Sequence, residues 1–108
     1  MAQDFERNTS NAVGTSAATL RTANSDDAIV GIMVANVATS QINVEVYIND
    51  GSNDIHLVKD APIPVGSSLQ VLDGGAKIVM QSGDALKVKS DTASSADVGV
   101  SVVDAIST

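Results

Sequence analysis

Short runs of alternating apolar and polar residues, separated by turn-forming residues, make up most of the chain. The clearest run covers residues 42–48, with isoleucine or valine at every even position and a polar residue or tyrosine at every odd one. A period of two predicts a strand with one buried face. The next residues, 49–54, contain the Asp-Gly pair typical of a tight hairpin, so residues 55–59 are expected to return as the partner strand.

The same patterning predicts further strands on both sides of this hairpin. One strand, broken at Gly14, is expected over residues 12–22, and the most apolar run, 28–36, is expected to be buried on both faces. Two prolines interrupt the pattern within residues 60–66, where we expect the chain to cross between sheets or pass around an edge. The remaining predicted strands are 67–72, 76–81, 85–90 and 97–106, the last with a bulge near Val102 and Val103.

About eight strands at this spacing, without an amphipathic helical stripe, predict an all-β fold. We expect an antiparallel β-sandwich, jelly-roll or immunoglobulin-like, formed as a single domain by residues 12–108. Residues 1–11 are polar apart from Phe5 and are expected to form an N-terminal arm, either docked on a partner or covering one end of the domain. The predicted core consists of Ile32, Val34, Ile42, Val44, Val46, Ile48, Leu57, Leu69, Val71, Ile78, Met80, Leu86, Val88, Val98, Val100 and Val102.

Composition narrows the classes of function. The 108 residues hold 6 basic and 13 acidic side chains, a net charge of −7. This balance disfavours binding to nucleic acid or to an anionic membrane, both of which need a cationic surface. Residues 1–7 lack the positively charged region and the apolar region of a signal peptide, and no apolar run is long enough to span a bilayer. We therefore expect a protein made in a cytoplasm.

Few residues are suited to catalysis or metal binding. The sequence has no cysteine and a single histidine, His56, which we expect on a solvent-facing strand. The carboxylate pairs, Asp26 with Asp27 and Asp50 with Asp54, lie in turn clusters where aspartate is explained by hydrogen bonds to the backbone. We therefore predict no enzyme activity, no cofactor and no metal site. A calcium site in the oxygen-rich loop at residues 49–54 stays open beside the preferred interpretation as a hairpin.

Two groups of residues are candidates for partner contacts. Lys77, Lys87 and Lys89 would form a basic stripe on one sheet face if their strands pair, although lysines also protect sheet edges from aggregation. Phe5 and Arg7 are the corresponding candidates in the N-terminal arm, because an exposed aromatic residue can anchor such a segment. These five residues are our predicted contact set.

Several segments carry a resemblance to a known group of proteins when they are taken together. They are VGIMVAN at residues 30–36, VEVYINDG at 44–51, KDAPIPVGSSL at 59–69, SGDALKV at 82–88 and SSAD at 94–97, followed by a valine-rich strand. In this order the segments resemble small virion structural proteins of tailed bacteriophages, especially those of marine cyanobacteria. The resemblance covers about residues 12–108 and includes no catalytic motif.

The resemblance implies a non-enzymatic virion protein with a β-sandwich fold. The expected function is that of a capsid decoration (cement) protein, which binds across coat subunits, stabilises the shell and forms a homo-oligomer. The major capsid protein or other virion proteins would then be the partners. A neck, tail or fibre component of the virion is one alternative. A carbohydrate- or host-surface-binding module is another, although the scarcity of aromatic residues disfavours it.

Overall fold

The computed structural model describes residues 4–72 and 78–104, and every regular element in these ranges is a β-strand. The strands are β1 (Asp4–Val13), β2 (Ala18–Thr22), β3 (Asp27–Asn36), β4 (Ile42–Asn49), β5 (Asp54–Ile63), β6 (Ser68–Leu72), β7 (Ile78–Met80), β8 (Ala85–Ser90) and β9 (Ala96–Asp104). In this part of the chain no helix has the length and apolar character needed to cross a membrane.

The strands form two antiparallel sheets that pack as a β-sandwich. The five-stranded sheet has the order β1-β9-β3-β6, with β7 also paired to β3, and the four-stranded sheet has the order β2-β8-β4-β5. Because β6 and β7 pair with successive parts of β3, they share one position in the sheet. The pairs β1–β9, β2–β8, β3–β6/β7 and β4–β5 are therefore nested like a long hairpin wound around the core. This order is that of a jelly roll, the first of the two predicted topologies.

The core lies between the sheets and receives alternate side chains from both. Ile32 and Val34 of β3 are fully buried, as are Val46 of β4 and Val88 of β8. Twelve of the sixteen predicted core residues are buried. The other four are only partly buried, because they lie on strands at the edges of the sheets: Leu57, Leu69, Val71 and Ile78. The core also takes in side chains that the sequence analysis left out: Val13, Leu20, Ala23, Ile29, Ile63 and Ala96.

The N-terminal region differs from the prediction. Residues 4–11, expected as an arm, form most of β1 and pair with β9 from Asp4–Asp104 to Ser10–Val98. The strand expected over 12–22 is instead the end of β1 and the whole of β2, one in each sheet. The alternating pattern fails here because the inward positions of β1 are polar. Of the domain predicted at 12–108, residues 73–77 and 105–108 lie outside the described residues.

Three further predictions are corrected. The run expected to be buried on both faces, now β3, is buried on one face only, and Met33 on the other is 41% exposed. The bulge expected at Val102 and Val103 lies on β3 instead, where Val30 is the extra residue between two registered pairs with β9. The interrupted segment 60–66 begins as strand: β5 continues to Ile63 through a bulge at Asp60, and only the turn after it crosses to the other sheet.

Candidate docking surface

The outer side of the five-stranded sheet carries an apolar row that crosses four strands. The strand registers align Phe5 of β1 with Val103 of β9, Val103 with Ala28 of β3, and Ala28 with Val79 of β7. Their neighbours Val102, Ile29 and Met80 point into the core, so the row itself points outward. Phe5 is 85% exposed and Val79 is 56% exposed. The sequence thus places its only phenylalanine at one end of an uncovered apolar row.

Three more rows complete a surface that we call the flat face. Its members are the apolar row and the rows Arg7–Ser101–Gly31, Thr9–Gly99–Met33–Gln70 and Asp97–Ala35–Ser68. Most of these side chains are small, so the surface has little relief. Gly99 leaves a shallow groove of about 560 Å³ between Thr9 and Met33. A surface of this shape is suited to contact with another flat surface, such as a second sheet.

The flat face is also poor in charge. Among its described residues only Arg7 and Asp97 are charged, and the Asp97 carboxylate accepts a hydrogen bond from the Ala12 amide at 2.9 Å. The chain as a whole has 19 charged side chains and a net charge of −7. The described acidic groups therefore lie almost entirely on other surfaces. A surface with an exposed apolar row and few charges, on an otherwise acidic protein, is the pattern expected of a contact face.

The structure separates the five predicted contact residues. Phe5 and Arg7 lie on the flat face, whereas Lys87 and Lys89 lie on the outer side of the four-stranded sheet. Lys77 lies outside the described residues, and the adjoining β7 pairs with β3 rather than with β8. The strand pairing on which the predicted lysine stripe depended is therefore absent. The four described members of the contact set therefore occupy opposite sides of the sandwich, Phe5 and Arg7 on one and Lys87 and Lys89 on the other.

Lys89 instead belongs to a charged cluster centred on Glu45. The Glu45 carboxylate lies 3.0 Å from His56 Nε2, 3.6 Å from Lys59 Nζ and 3.7 Å from Lys89 Nζ. The His56 ring in turn packs against Tyr47 in a tilted arrangement, with centroids 5.0 Å apart and an interplanar angle of 40°. Burial alone would raise the pKa of Glu45, but the hydrogen bond from His56 and the two ammonium charges outweigh it and lower the pKa below 4.5. The cluster joins β4, β5 and β8 across the sheet.

Replacing Glu45 by glutamine is expected to lower stability in a pH-dependent way. A carboxylate whose folded-state pKa is lowered stabilises the fold fully above its unfolded pKa, and this contribution is lost as the pH falls through the folded-state value. We expect Glu45→Gln to reduce the free energy of unfolding by up to about 1 kcal/mol at pH 7, because the side chains of both lysines are partly exposed to solvent. The difference should shrink as the pH falls through the lowered pKa of Glu45. Urea unfolding followed by circular dichroism at pH 7 and at an acid pH measures it.

The control for this experiment is Asp60→Asn, which also removes one negative charge from an acidic protein. Asp60 is exposed on β5 next to Lys59, and no ion pair joins it to the described cluster. Its replacement reports the general effect of reducing the net charge. An equal loss of stability for Glu45→Gln at both pH values would contradict the role given to the carboxylate.

A second polar cluster closes the side of the sandwich where β1 and β2 meet. Arg21 of β2 has only 9% of its side chain exposed and donates through Nε to the fully buried carboxylate of Asp27 at 2.7 Å. Its Nη1 donates to Glu6 and to Asn8, both of β1, at 3.1 Å, and its Nη2 lies 3.2 Å from Asp104. A hydrogen bond with Asp27, together with burial, raises the pKa of Asp104. Polar contacts thus hold the inward face of β1.

The carboxylate pairs considered for catalysis are occupied by structural contacts. Asp27 faces Arg21, and the Asp50 carboxylate accepts hydrogen bonds from the amides of Ser52 and Asn53, which lower its pKa. Asn49 donates to Asp54 at 2.7 Å across the hairpin. Gly51 has a φ of 98°, the left-handed conformation for which the Asp-Gly pair is selected. Within residues 4–72 and 78–104 no group of three or more histidine, aspartate or glutamate side chains is placed to hold a metal ion.

Sequence reasoning identified Phe5 and Arg7 but missed the rest of the flat face. Ala28, Ser101 and Gly99 give no signal on their own, because small residues are common in strands and turns alike. In the sequence, Val79 and Val103 are apolar residues next to the predicted core residues Ile78, Met80 and Val102, at the positions that alternate with them. An apolar residue at the outward position of a predicted strand was therefore the one available signal. The alignment of these residues into a row depends on pairings between distant strands.

The strand order defines a jelly-roll protein, and the flat face is its candidate contact surface. No known family model matches the chain, and no curated protein matches its sequence. The chain is similar in structure to a protein from Bacillus endospore appendages, described as forming a novel family of disulfide-linked pili. The TM-score is 0.54 at 14% sequence identity, over 98% of this chain and 88% of the other. At this identity the similarity establishes the fold.

Proposed function

We propose that this chain is a non-enzymatic structural protein of a bacteriophage virion, a capsid decoration protein that docks on the assembled coat through its flat face. The observation that carries the proposal is the apolar row from Phe5 to Val79, exposed on a face with almost no charge. The resemblance of the sequence to small virion proteins of tailed bacteriophages supports the kind of assembly. The major capsid protein is the proposed partner.

The size of the flat face suits a repeated weak contact. Four strands spaced about 4.8 Å apart and about seven residues along each strand give a surface of roughly 450 Å². A standard interface buries about 800 Å² per partner, so one face provides roughly half of that. A contact of this area binds weakly on its own. It becomes effective when the protein is itself a homo-oligomer and the coat offers matching sites at symmetric spacing.

Stabilisation of the shell follows from the preference for the assembled state. A protein that spans neighbouring coat subunits binds the assembled shell and has little affinity for free subunits. Such binding shifts the assembly equilibrium towards the shell by mass action. The acidic side chains outside the flat face keep unbound copies soluble and leave the flat face as the surface that meets the partner.

Docking is tested by co-sedimentation of variants with purified coat-protein shells. We expect Val79→Ser to weaken binding by about ten-fold, because it removes an exposed apolar side chain from the apolar row of a contact repeated over several subunits. Val65→Ser is the matched control: Val65 is 57% exposed, Val79 is 56% exposed, and Val65 lies in the turn between β5 and β6, outside the four rows of the flat face. Equal binding by the two variants would contradict docking through this face.

The location on the virion is tested by the copy number of the chain. Quantitative mass spectrometry of purified virions compares it with the major coat protein. A number similar to that of the coat protein supports decoration of the capsid. A few copies per particle would place the chain in the neck, tail or fibre, and its absence from virions would overturn the proposal.

A second candidate function is a subunit of an extracellular appendage. It is favoured by the structural similarity to the endospore appendage protein, which extends over 98% of this chain. Those pili are disulfide-linked, whereas this sequence has no cysteine, so its subunits would be joined by non-covalent contacts. Electron microscopy of the purified protein distinguishes the candidates: fibres formed without any coat protein favour the appendage, and discrete oligomers favour decoration.

A further inference from the structure

Strand β1 has the weakest apolar attachment to the sandwich among the long strands. Of its described side chains only Val13 is buried, and Phe5 is 85% exposed. Its inward residues Glu6 and Asn8 are held by Arg21 rather than by core contacts. Because burial of apolar surface provides most of the free energy that keeps a strand in place, β1 is expected to open at a lower free energy than the strands around it.

The edge of β9 that β1 covers, by contrast, needs a strand paired to it. Val98, Val100 and Val102 of β9 are almost fully buried, and β9 pairs with β1 through the backbone from residue 98 to residue 104. If β1 moves away, this ladder is left unpaired and the valines come closer to water. An unpaired edge of this kind is satisfied by another strand. A strand that replaces β1 must place polar side chains opposite Arg21, as Glu6 and Asn8 do. The β1 strand of a second copy meets this requirement.

The chain is strained near the end of β1, and the connection from β1 to β2 is short. Ala12 lies in the irregularity of the β1–β9 ladder between Ser10 and Val13 and has a φ of 54°, a left-handed conformation that residues other than glycine rarely adopt. Only four residues, 14–17, then lead from one sheet to the other. At Gly14 a β-carbon would lie 3.1 Å from the backbone nitrogen of Ser94, so the connection is also closely packed. Short connections under strain favour exchange of the attached strand, since the open form releases the strain.

We propose that β1 is exchanged between copies of this chain, so that in the assembled protein β1 of one copy lies on β9 of the next. The chain turns away at the hinge around Ala12, and residues 4–10 of the exchanged strand make the same contacts as in the single chain: the ladder with β9, and the bonds from Arg21 to Glu6 and Asn8. Exchange between two copies gives a closed dimer, and exchange that runs on gives a chain of subunits. The inference goes beyond docking on a shell and is tested on the isolated protein.

The test uses cysteines, because the sequence has none. Thr9 and Gly99 are opposite each other in the β1–β9 register, both on the flat face, and a side chain added at Gly99 meets no atom within 4 Å. Thr9→Cys in a tagged chain and Gly99→Cys in an untagged chain are unfolded together, refolded at high concentration and joined with a short bis-maleimide. We expect a covalent heterodimer as a major product on a denaturing gel.

A matched control separates exchange from simple contact between flat faces. Gln70 lies in the same row as Thr9 but two strands beyond Gly99, so exchange does not bring it near Thr9. Mixing Thr9→Cys with Gln70→Cys should give little heterodimer. In addition, Ala12→Gly removes the strain at the hinge and should reduce the exchanged fraction by about five-fold.

The proposal is overturned by one clear result. If the Thr9→Cys and Gly99→Cys mixture gives no more heterodimer than the Gln70→Cys control, while a chain carrying both substitutions cross-links within itself, β1 stays on its own chain. If Gly99→Cys does not fold, the opposed pair Arg7→Cys and Ser101→Cys repeats the test one row away.

Discussion

Replacing Arg21 by methionine is expected to lower the free energy of unfolding by about 3–5 kcal/mol. The Arg21 guanidinium is 9% exposed and is bonded to the fully buried carboxylate of Asp27. Methionine keeps most of the volume but removes the cation, so a buried negative charge loses its main compensation. It also removes the bonds that hold Glu6 and Asn8 of β1. Since domains of this size are stable by about 5–15 kcal/mol, the loss is a large part of the total.

Urea unfolding at pH 7, followed by circular dichroism, measures this loss. Arg7→Met is the matched control, because Arg7 is exposed on the flat face and forms no ion pair with another described residue. Its replacement should change the free energy of unfolding by less than about 0.5 kcal/mol. Adding Asp27→Asn to Arg21→Met removes the buried charge and should recover at least part of the stability. A single Arg21→Met variant as stable as the Arg7→Met control would show that the cluster does not hold the fold together.

Truncating Ile32 to alanine is expected to cost about 2–5 kcal/mol. Ile32 is fully buried in the middle of β3, the central strand of its sheet, and faces the opposite sheet. The neighbouring strands on both sides hold its backbone, so the cavity left by the missing carbons cannot collapse easily. The cost therefore includes the lost transfer of those carbons from water and the lost packing around the cavity.

The next residue along the chain is the control. Met33→Ala removes a side chain of similar size from the opposite face of the same strand, where it is 41% exposed. We expect a change within about 0.5 kcal/mol by the same denaturation measurement. Two adjacent substitutions that differ this much verify the inward and outward assignment of β3, on which the flat face depends. Comparable losses at both positions would contradict that assignment.

The interior of the sandwich was predictable where alternation is strong. The period of two over β4 places Ile42, Val44, Val46 and Ile48 in the core, and the structure confirms all four. The Asp-Gly hairpin that follows is also confirmed, because its conformation depends on residues adjacent in the sequence. Local patterns of this kind determine both the faces of a strand and the position of a turn.

Strand β1 could not be predicted in the same way. Its inward positions are Glu6, Asn8 and Ser10, so the hydrophobic pattern that identifies a half-buried strand is missing. A main reason is a single residue of the other sheet: Arg21 donates hydrogen bonds to Glu6 and Asn8. A pattern of apolar residues cannot identify a strand whose inner face is polar and is paired with an arginine of the opposite sheet.

The candidate site was predictable only in part for a related reason. Phe5 is conspicuous in a sequence with two aromatic residues, but its neighbours in the row are Val103, Ala28 and Val79, from three other strands. The nested pairing brings them together, and no local signal specifies that pairing. The same limit explains the lysine stripe, since residues 78–80 and 85–90 are close in sequence but lie in different sheets.

The nested pairing of the strands also bears on how fast the chain folds. Its outermost pair joins Asp4 to Asp104, so this ladder connects residues one hundred positions apart. Folds dominated by such distant pairings reach the native state in roughly milliseconds to seconds, much more slowly than helical bundles. During synthesis, β1 leaves the ribosome long before β9 exists and must wait for it. Where many nascent chains lie close together, β1 of one chain meets either its own β9 or the β9 of a neighbouring chain. Protein concentration determines which of the two it meets first.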